Sequence, residues 1–249
     1  MITTTEPDIL VSVTGLHRYY GDFCAVRDLA FDLRRGEVLG LLGPNGAGKT
    51  TTMNLLAGTL APSTGSVRLC GHDLLDDPRA AKAAIGYLPE RPPLYPDLTV
   101  DEYLDYAAGL RAVPRATRSS ARDAAKTQCG LADYGRRLIG NLSKGYQQRV
   151  GIAQALVHNP SVIILDEPTV GLDPNQIREI RGLIIDLGRD RGVILSTHIL
   201  PEVLATCTSV KILHRGCLVH EQRVDELTAP GAHTLEQIFI DKTMDDSAA

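Results

Sequence analysis

Three short stretches of this chain carry residues whose types and spacing could do chemistry on a phosphate. The first is GPNGAGKT, Gly43 to Thr50. A glycine-rich turn of this spacing, placed after an apolar strand and before a helix, offers backbone N–H groups and a helix N-terminus to an anion. In that reading Gly43, Pro44, Asn45, Gly46, Ala47, Gly48 and Thr51 shape the cradle. Lys49 reaches the β- and γ-phosphates, and the Thr50 hydroxyl ligates Mg²⁺. The second stretch is VIILDEP, Val162 to Pro168, in which Asp166 and Glu167 close a continuous apolar run. Ligands of open α/β sheets sit at the carboxyl ends of strands. Asp166 is therefore suited to holding Mg²⁺ through its water shell, and Glu167 to polarising a water that attacks a phosphoryl group. Taken alone the two acids would be a capped strand end; beside a phosphate loop they read as a hydrolytic pair.

The third stretch, NLSKGYQQRVGIAQAL from Asn141 to Leu156, opens on a serine and a glycine and continues as an amphipathic helix. Ser143 stands where an N-cap stands, and Gly145 lets another backbone come close. The free N–H groups of such a helix start form a second anion site in a chain that already has one. Two readings follow from the residues: a site for a nucleotide held by another copy of the protein, or an ordinary capped helix.

The surrounding pattern supplies the elements that must hold these residues. ILVSVTGLHRYYG, AVRDLAFDLRRGE and VLGLLG read as strands bounded by Gly21 and by Arg34-Arg35-Gly36. KTTTMNLLAGTL reads as a helix, SVRLCG as a strand, and Pro89, Pro92, Pro93 and Pro96 crowd one loop. Thr99 and Glu102 form a capping box for the helix VDEYLDYAAGL, and residues 100–141 show helix and loop but no strand pattern. SVIILDEP and GVILST carry continuous apolar runs, as expected for central strands covered on both faces, with IREIRGLIIDLG as the crossover helix between them. SVKILHRGCLVHEQRV reads as a closing hairpin, TLEQIFIDKT as a last short helix and MDDSAA as a solvated tail.

The bulk properties narrow the class. At 249 residues the chain suits one large α/β domain, or one domain with a modest insertion. A net charge of −4 implies no general polyanion-binding surface, so nucleic acid is not expected as a partner. Five scattered cysteines without C-x-x-C spacing fit reduced thiols of a cytosolic protein. MITTTEPDIL has no basic region leading into an apolar core, and no apolar run approaches the ~20 residues of a membrane span.

The order of phosphate loop, proline-rich loop, LSKGYQQRVGIAQAL, VIILDEPTVGLDP and STH resembles the ATP-binding cassette (ABC) family of transporter ATPases, from Leu10 to about Val224. The resemblance implies a P-loop NTPase core of α/β class with an N-terminal antiparallel β subdomain and a helical insertion. It divides the single domain into a catalytic core of 1–90 and 142–225, a helical subdomain of 91–141, and a C-terminal helix and tail of 226–249. It implies ATP and Mg²⁺ as ligands and a head-to-tail dimer, either with a second copy or with a homologous ATPase subunit, sandwiching two ATP molecules. Ser143 and Gly145 then belong to the signature motif that meets the γ-phosphate on the facing subunit. Tyr20, with Tyr19 as the neighbouring candidate, matches the aromatic that stacks on adenine. Asp173 in GLDP matches the loop that communicates between subunits, and His198 the histidine that contacts the γ-phosphate and orients Glu167 and water.

The chain departs from the family pattern at three places. Lys144 and Tyr146 replace a glycine and a glutamine of the common L-S-G-G-Q signature, and Glu90 stands where a glutamine is usual. Glu90 is expected to contact Mg²⁺ and to link the site to the helical insertion. YLPERPPLYPDLTVDEYL with LSKGY looks most like the bacterial subgroup serving ABC-2-type exporters, including ATPases of gliding-motility transporters and of nitrous-oxide-reductase maturation. The function so implied is a motor subunit on the cytosolic membrane face, driving a separate integral membrane permease. The competing reading is a soluble ABC ATPase of DNA maintenance or translation, against which the single cassette and short insertion argue.

Overall fold

A computed structural model describes residues 8–227 and 232–244. In chain order the elements are β1 (Ile9–Tyr20), β2 (Phe23–Arg34), β3 (Val38–Leu42), α1 (Lys49–Leu56), β4 (Thr64–Leu69) and β5 (His72–Asp73). Next come α2 (Pro78–Ala83), β6 (Ile85–Leu88), α3 (Val100–Leu110), α4 (Arg118–Gln128), α5 (Lys144–Leu156), β7 (Val162–Asp166) and α6 (Pro174–Gly188). The chain closes with β8 (Gly192–Thr197), α7 (Leu200–Thr206), β9 (Ser209–His214), β10 (Cys217–Arg223), α8 (Val224–Leu227) and α9 (Leu235–Met244).

Two sheets organise the molecule. One is antiparallel, ordered β2-β1-β4-β5. The other is ordered β10-β9-β3-β8-β7-β6, parallel from β9 to β6, with β10 added antiparallel at its edge. Every residue of β3, β7 and β8 is buried, as their unbroken apolar runs demand. The period-two geometry of the strands divides them between two cores. Ile163, Leu165, Val193 and Leu195 face a core shared with α3, α5, α6 and Val203 of α7. Val162, Ile164 and Ile194 face a second core built from α1 and the antiparallel sheet. The phosphate-loop helix is therefore clamped between the two sheets.

The helical region between Leu88 and Val162 contains no strand. It begins with the Thr99–Glu102 capping box, in which each residue's side chain accepts from the other's backbone N–H. Asp101 and Asp123 pair with Lys126, and Arg122 pairs with Asp101, Asp105 and Asp123, binding α4 onto α3.

Several sequence expectations need adjustment. The helix after Lys49 stops at Leu56 rather than running to Leu60. Ile85–Leu88, to which the sequence pattern assigned no strand, is the edge strand of the large sheet, paired in parallel with β7. Two short helices, α2 and α7, carry no periodicity long enough to be read from sequence. The expected tail lies, beyond Met244, outside the described residues. Among the described residues no helix is long and apolar enough to cross a membrane.

Candidate functional site

The phosphate loop leaves β3, the strand at the middle of the large sheet, and enters α1 through Gly48. Gly48 adopts φ 101°, and a Cβ there would lie 2.6 Å from the Ala25 carbonyl oxygen, so only glycine closes this turn. No side chain caps α1 and no acid occupies its first turn, which leaves its N–H groups and dipole open to an anion. The loop is pinned by Ala47 N–H donating to Pro44 O (3.2 Å) and Gly216 N–H donating to Ala47 O (3.0 Å). Lys49, only 6% exposed, turns its ammonium back onto the loop, donating to Gly43 O (2.9 Å) and Pro44 O (3.3 Å). The same ammonium lies 3.7 Å from Glu167 Oε1.

Asp166 ends β7 and Glu167 begins the turn after it. Glu167 adopts φ 48°, a left-handed conformation rare for a branchless acid side chain and found where a site dictates the backbone. Its N–H donates to both the hydroxyl (3.0 Å) and the carbonyl (3.2 Å) of Ser196 on the adjacent strand β8, which hold the turn. His198 Nδ1 lies 2.9 and 3.0 Å from the two Glu167 carboxylate oxygens. A carboxylate only accepts, so Nδ1 carries the hydrogen and Nε2 is left for another partner.

Asp166 Oδ1 accepts from the Ser196 hydroxyl, while Oδ2 is buried with no hydrogen-bond partner. Burial pushes the Asp166 carboxyl above its ordinary range. The Ser196 and Thr50 hydroxyls oppose that rise, the charge of Glu90 adds to it, and Lys49 opposes it. The sequence reading missed Ser196, a hydroxyl at the end of an apolar strand; its position just before Thr197-His198 was the available signal.

Lys49, Glu167 and His198 meet in one cavity of about 430 Å³, lined by Tyr20, Phe23, Ala25, Asn45, Gly46, Gly48, Lys49, Thr50, Thr51, Glu90, Glu167, Val170 and His198; Asp166 and Ser196, both buried, do not line it. Tyr20 is half exposed at the rim with the Arg18 guanidinium 4.7 Å from its ring centre. Tyr19 instead stacks on His17 and does not line the cavity. Phe23 is a second rim aromatic that the sequence reading did not single out.

Ser143, Gly145 and Asp173 lie outside this cavity. Ser143 is the N-cap of α5, but its hydroxyl makes no capping bond, so the start of this helix is not an ordinary capped one. Gly145 does admit a close neighbour, yet the neighbour is a side chain: a Cβ there would lie 2.5 Å from Cδ of Gln176. Asp173 caps α6, accepting from the N–H groups of Asn175 and Gln176 at 3.0 Å each. Tyr146 stacks on Tyr134 with ring centres 4.2 Å apart, the Arg137 guanidinium lies 4.9 Å from the Tyr134 ring centre and that of Arg149 5.4 Å from the Tyr146 ring centre. Arg149 also pairs with Glu179 of α6. The unusual tyrosine thus joins the signature helix to the helical region.

With this geometry in place, comparison with known proteins gives a direct answer. Residues 26–170 match the family model described as ABC transporter. The chain belongs to the ABC transporter ATPase family. It is 38% identical over 240 residues to the ABC transporter ATP-binding protein NatA of Bacillus subtilis, covering 94% of this chain and 98% of that one. It is 36% identical to the bacitracin transport ATP-binding protein BcrA of Bacillus licheniformis, over 91% of this chain and 74% of that one. Among solved structures, an ATP-binding subunit of an ABC transporter superposes with a TM-score of 0.81 at 31% identity, covering 93% and 98% of the two chains. CbiO1 of Clostridium perfringens, part of an ABC transporter complex, superposes with a TM-score of 0.79 at 29% identity over 90% and 92%. The protein is an ATP-binding ABC subunit, an ATPase coupled to transport.

Proposed function

We propose that this chain is the motor of an ABC-2-type exporter, working as a head-to-tail dimer on the cytosolic face of a membrane beneath a separate permease. The observation that carries the reading is the division of labour between two places. Lys49, Thr50, Glu167 and His198 meet in one cavity, while Ser143 presents an uncapped helix start outside it. A second copy brings the Ser143 end to the γ-phosphate held by the first.

The donor set fits a divalent cation. Oδ2 of Asp166 is buried without a partner, Thr50 and Glu90 add hard oxygen donors, and Asp166 is poised to gain from a cation that stabilises its ionised form. Among the described residues no three His, Cys, Asp or Glu side chains converge by themselves, so the remaining ligands are phosphate oxygens and water. Mg²⁺ held there supplies charge neutralisation to the transferring phosphoryl group. Lys49 exchanges its loop carbonyls for phosphate oxygens. Glu167, held by Ser196 and His198, orients the attacking water. Tyr20 stacks on the adenine, worth about 1–3 kcal/mol.

The loop that follows β6 joins the two working ends. Glu90 lines the nucleotide cavity, and three residues on the chain reaches an exposed apolar surface of Pro93, Tyr95, Tyr106 and Leu110 around a cavity of about 240 Å³. That surface suits a permease contact through which closure of the dimer is transmitted. The relative named for bacitracin transport supports the exporter reading. Tagged purification from native membranes in mild detergent tests it. A multi-span subunit at near-equal stoichiometry is the expected companion; recovery alone, or with DNA or ribosomes, refutes the transporter assignment. Glu167→Gln is expected to slow turnover at least ~100-fold, the scale of a positioned proton acceptor, while retaining ATP and trapping the dimer. Unchanged turnover would remove Glu167 from its role.

A further inference from the structure

We propose that Glu202 is a positioning residue for hydrolysis: it ties the loop carrying Glu167 and the loop carrying His198 to one rigid helix. The proposal rests on the roles given above to those two residues. Glu202 is 1% exposed, as deeply buried as Asp166, and does not line the nucleotide cavity. A carboxylate so placed is costly unless its oxygens are satisfied, and here both are. Oε1 accepts from the Thr169 hydroxyl, and Oε2 from the Thr197 hydroxyl at 2.6 Å, with Arg181 Nη2 3.9 Å from Oε1.

The two hydroxyls belong to the segments that matter. Thr169 is two residues beyond Glu167, and Thr197 directly precedes His198. Thr197 Oγ1 also accepts from the Ile199 N–H at 3.1 Å, so the backbone on both sides of His198 is referred to the same carboxylate. Glu202 itself cannot drift. It sits in α7, whose next residue, Val203, is wholly buried against β3 where Gly40 leaves no room for a side chain. Ser196 holds the Glu167 N–H from β8 and Glu202 holds the segment beyond it from α7. Together they fix the Glu167–His198 contact from two sides. A leucine could fill the volume of Glu202; what it could not do is join two hydroxyls from separate loops.

The test compares steady-state ATPase kinetics and ATP titrations for Glu202→Leu, Glu202→Gln, Thr197→Val, Val203→Ala and Glu167→Gln, all in the full chain. Glu202→Leu is expected to lower kcat about 100-fold, the loss that a displacement on the order of 1 Å produces, with ATP affinity unchanged. Glu202→Gln retains most of kcat, because an amide pairs with two hydroxyls that can each donate or accept. Adding Thr197→Val to Glu202→Leu slows turnover no further, since the tie is already gone. Val203→Ala, in the same helix, lowers stability but leaves kcat intact below its melting temperature. Wild-type kcat in Glu202→Leu overturns the proposal, as does an equal kcat loss in Val203→Ala or a parallel loss of ATP affinity. Where Glu202→Leu fails to fold, Thr197→Val is expected to lower kcat by itself, and wild-type kcat in that variant overturns the proposal. An active Glu167→Gln overturns the role of Glu167 and this proposal together. An inactive Glu167→Gln beside an active Glu202→Leu overturns only the positioning role.

Discussion

Ser196→Ala removes a single oxygen from the floor of the site, and its consequence is calculable. The Ser196 hydroxyl is fully buried, donates to Asp166 Oδ1 and accepts from the Glu167 N–H. The Glu167 N–H keeps a second acceptor, the Ser196 carbonyl at 3.2 Å, so that donor is not orphaned. Asp166 fares worse: Oδ2 already lacks a partner, and the substitution strips Oδ1 as well. A hydrogen bond to a charged group contributes about 1.5–3 kcal/mol. At roughly 2–4 °C per kcal/mol for a chain of this size, the melting temperature should fall by about 3–12 °C.

The pH dependence has a definite sign. Asp166 has a folded pKa raised above its unfolded value, chiefly by burial, so the native state binds its proton more tightly and loses stability as pH rises through that interval. Losing the Ser196 hydroxyl, which opposes the rise, widens the interval upward. The deficit of Ser196→Ala against wild type should therefore be larger at pH 7.5 than near pH 4, the ordinary carboxylate range. Denaturant unfolding without nucleotide, at both pH values, is the assay. A deficit below 0.5 kcal/mol at pH 7.5, well short of the hydrogen-bond range, or one that grows on acidification, would refute the account.

Three other substitutions probe Glu90, Gly145 and Tyr146. Glu90→Gln should leave ATP hydrolysis largely intact in a phosphate-release assay and shift the Asp166 titration downward, because the Glu90 charge raises it; complete loss of turnover would show the charge to be required. Gly145→Ala would place a methyl group 2.5 Å from Cδ of Gln176, the end of a flexible side chain that must swing aside, so the change in urea unfolding should stay within about 1 kcal/mol of wild type, and a larger loss would show that Gln176 cannot move. Tyr146→Ala should cost about 0.5–1.5 kcal/mol beyond its lost area through the Tyr134 stack, while Tyr146→Phe melts near wild type.

What could be read from the sequence was what is local. Lys49, Thr50, Asp166 and Glu167 sit at strand–helix junctions whose apolar runs and glycine spacing announce them. The Thr99–Glu102 capping box likewise spans four residues. What could not be read depends on which distant residue arrives alongside. β6 has four residues followed at once by proline, and becomes a strand only because β7, more than seventy residues later, lies parallel to it. Ser196 looks like filler in an apolar strand until Asp166 is set beside it. Gln176 reads as a helix-surface residue until it covers Gly145. Tyr146 reads as a lost glutamine contact; the ring of Tyr134 supplies a use that no spacing rule encodes.

The resting arrangement of Lys49 has a consequence for how the fuel is let go. Its ammonium is already occupied by two carbonyl oxygens of its own loop, with the Glu167 carboxylate close by. In the role proposed for Lys49, an arriving nucleotide swaps one set of oxygens for another, so the net gain is smaller than the full strength of a new bond. When the spent nucleotide leaves, the lysine has a place to return to, and no bare charge is stranded in the interior. A grip that relaxes onto itself suits a cycle in which unloading must keep pace with loading.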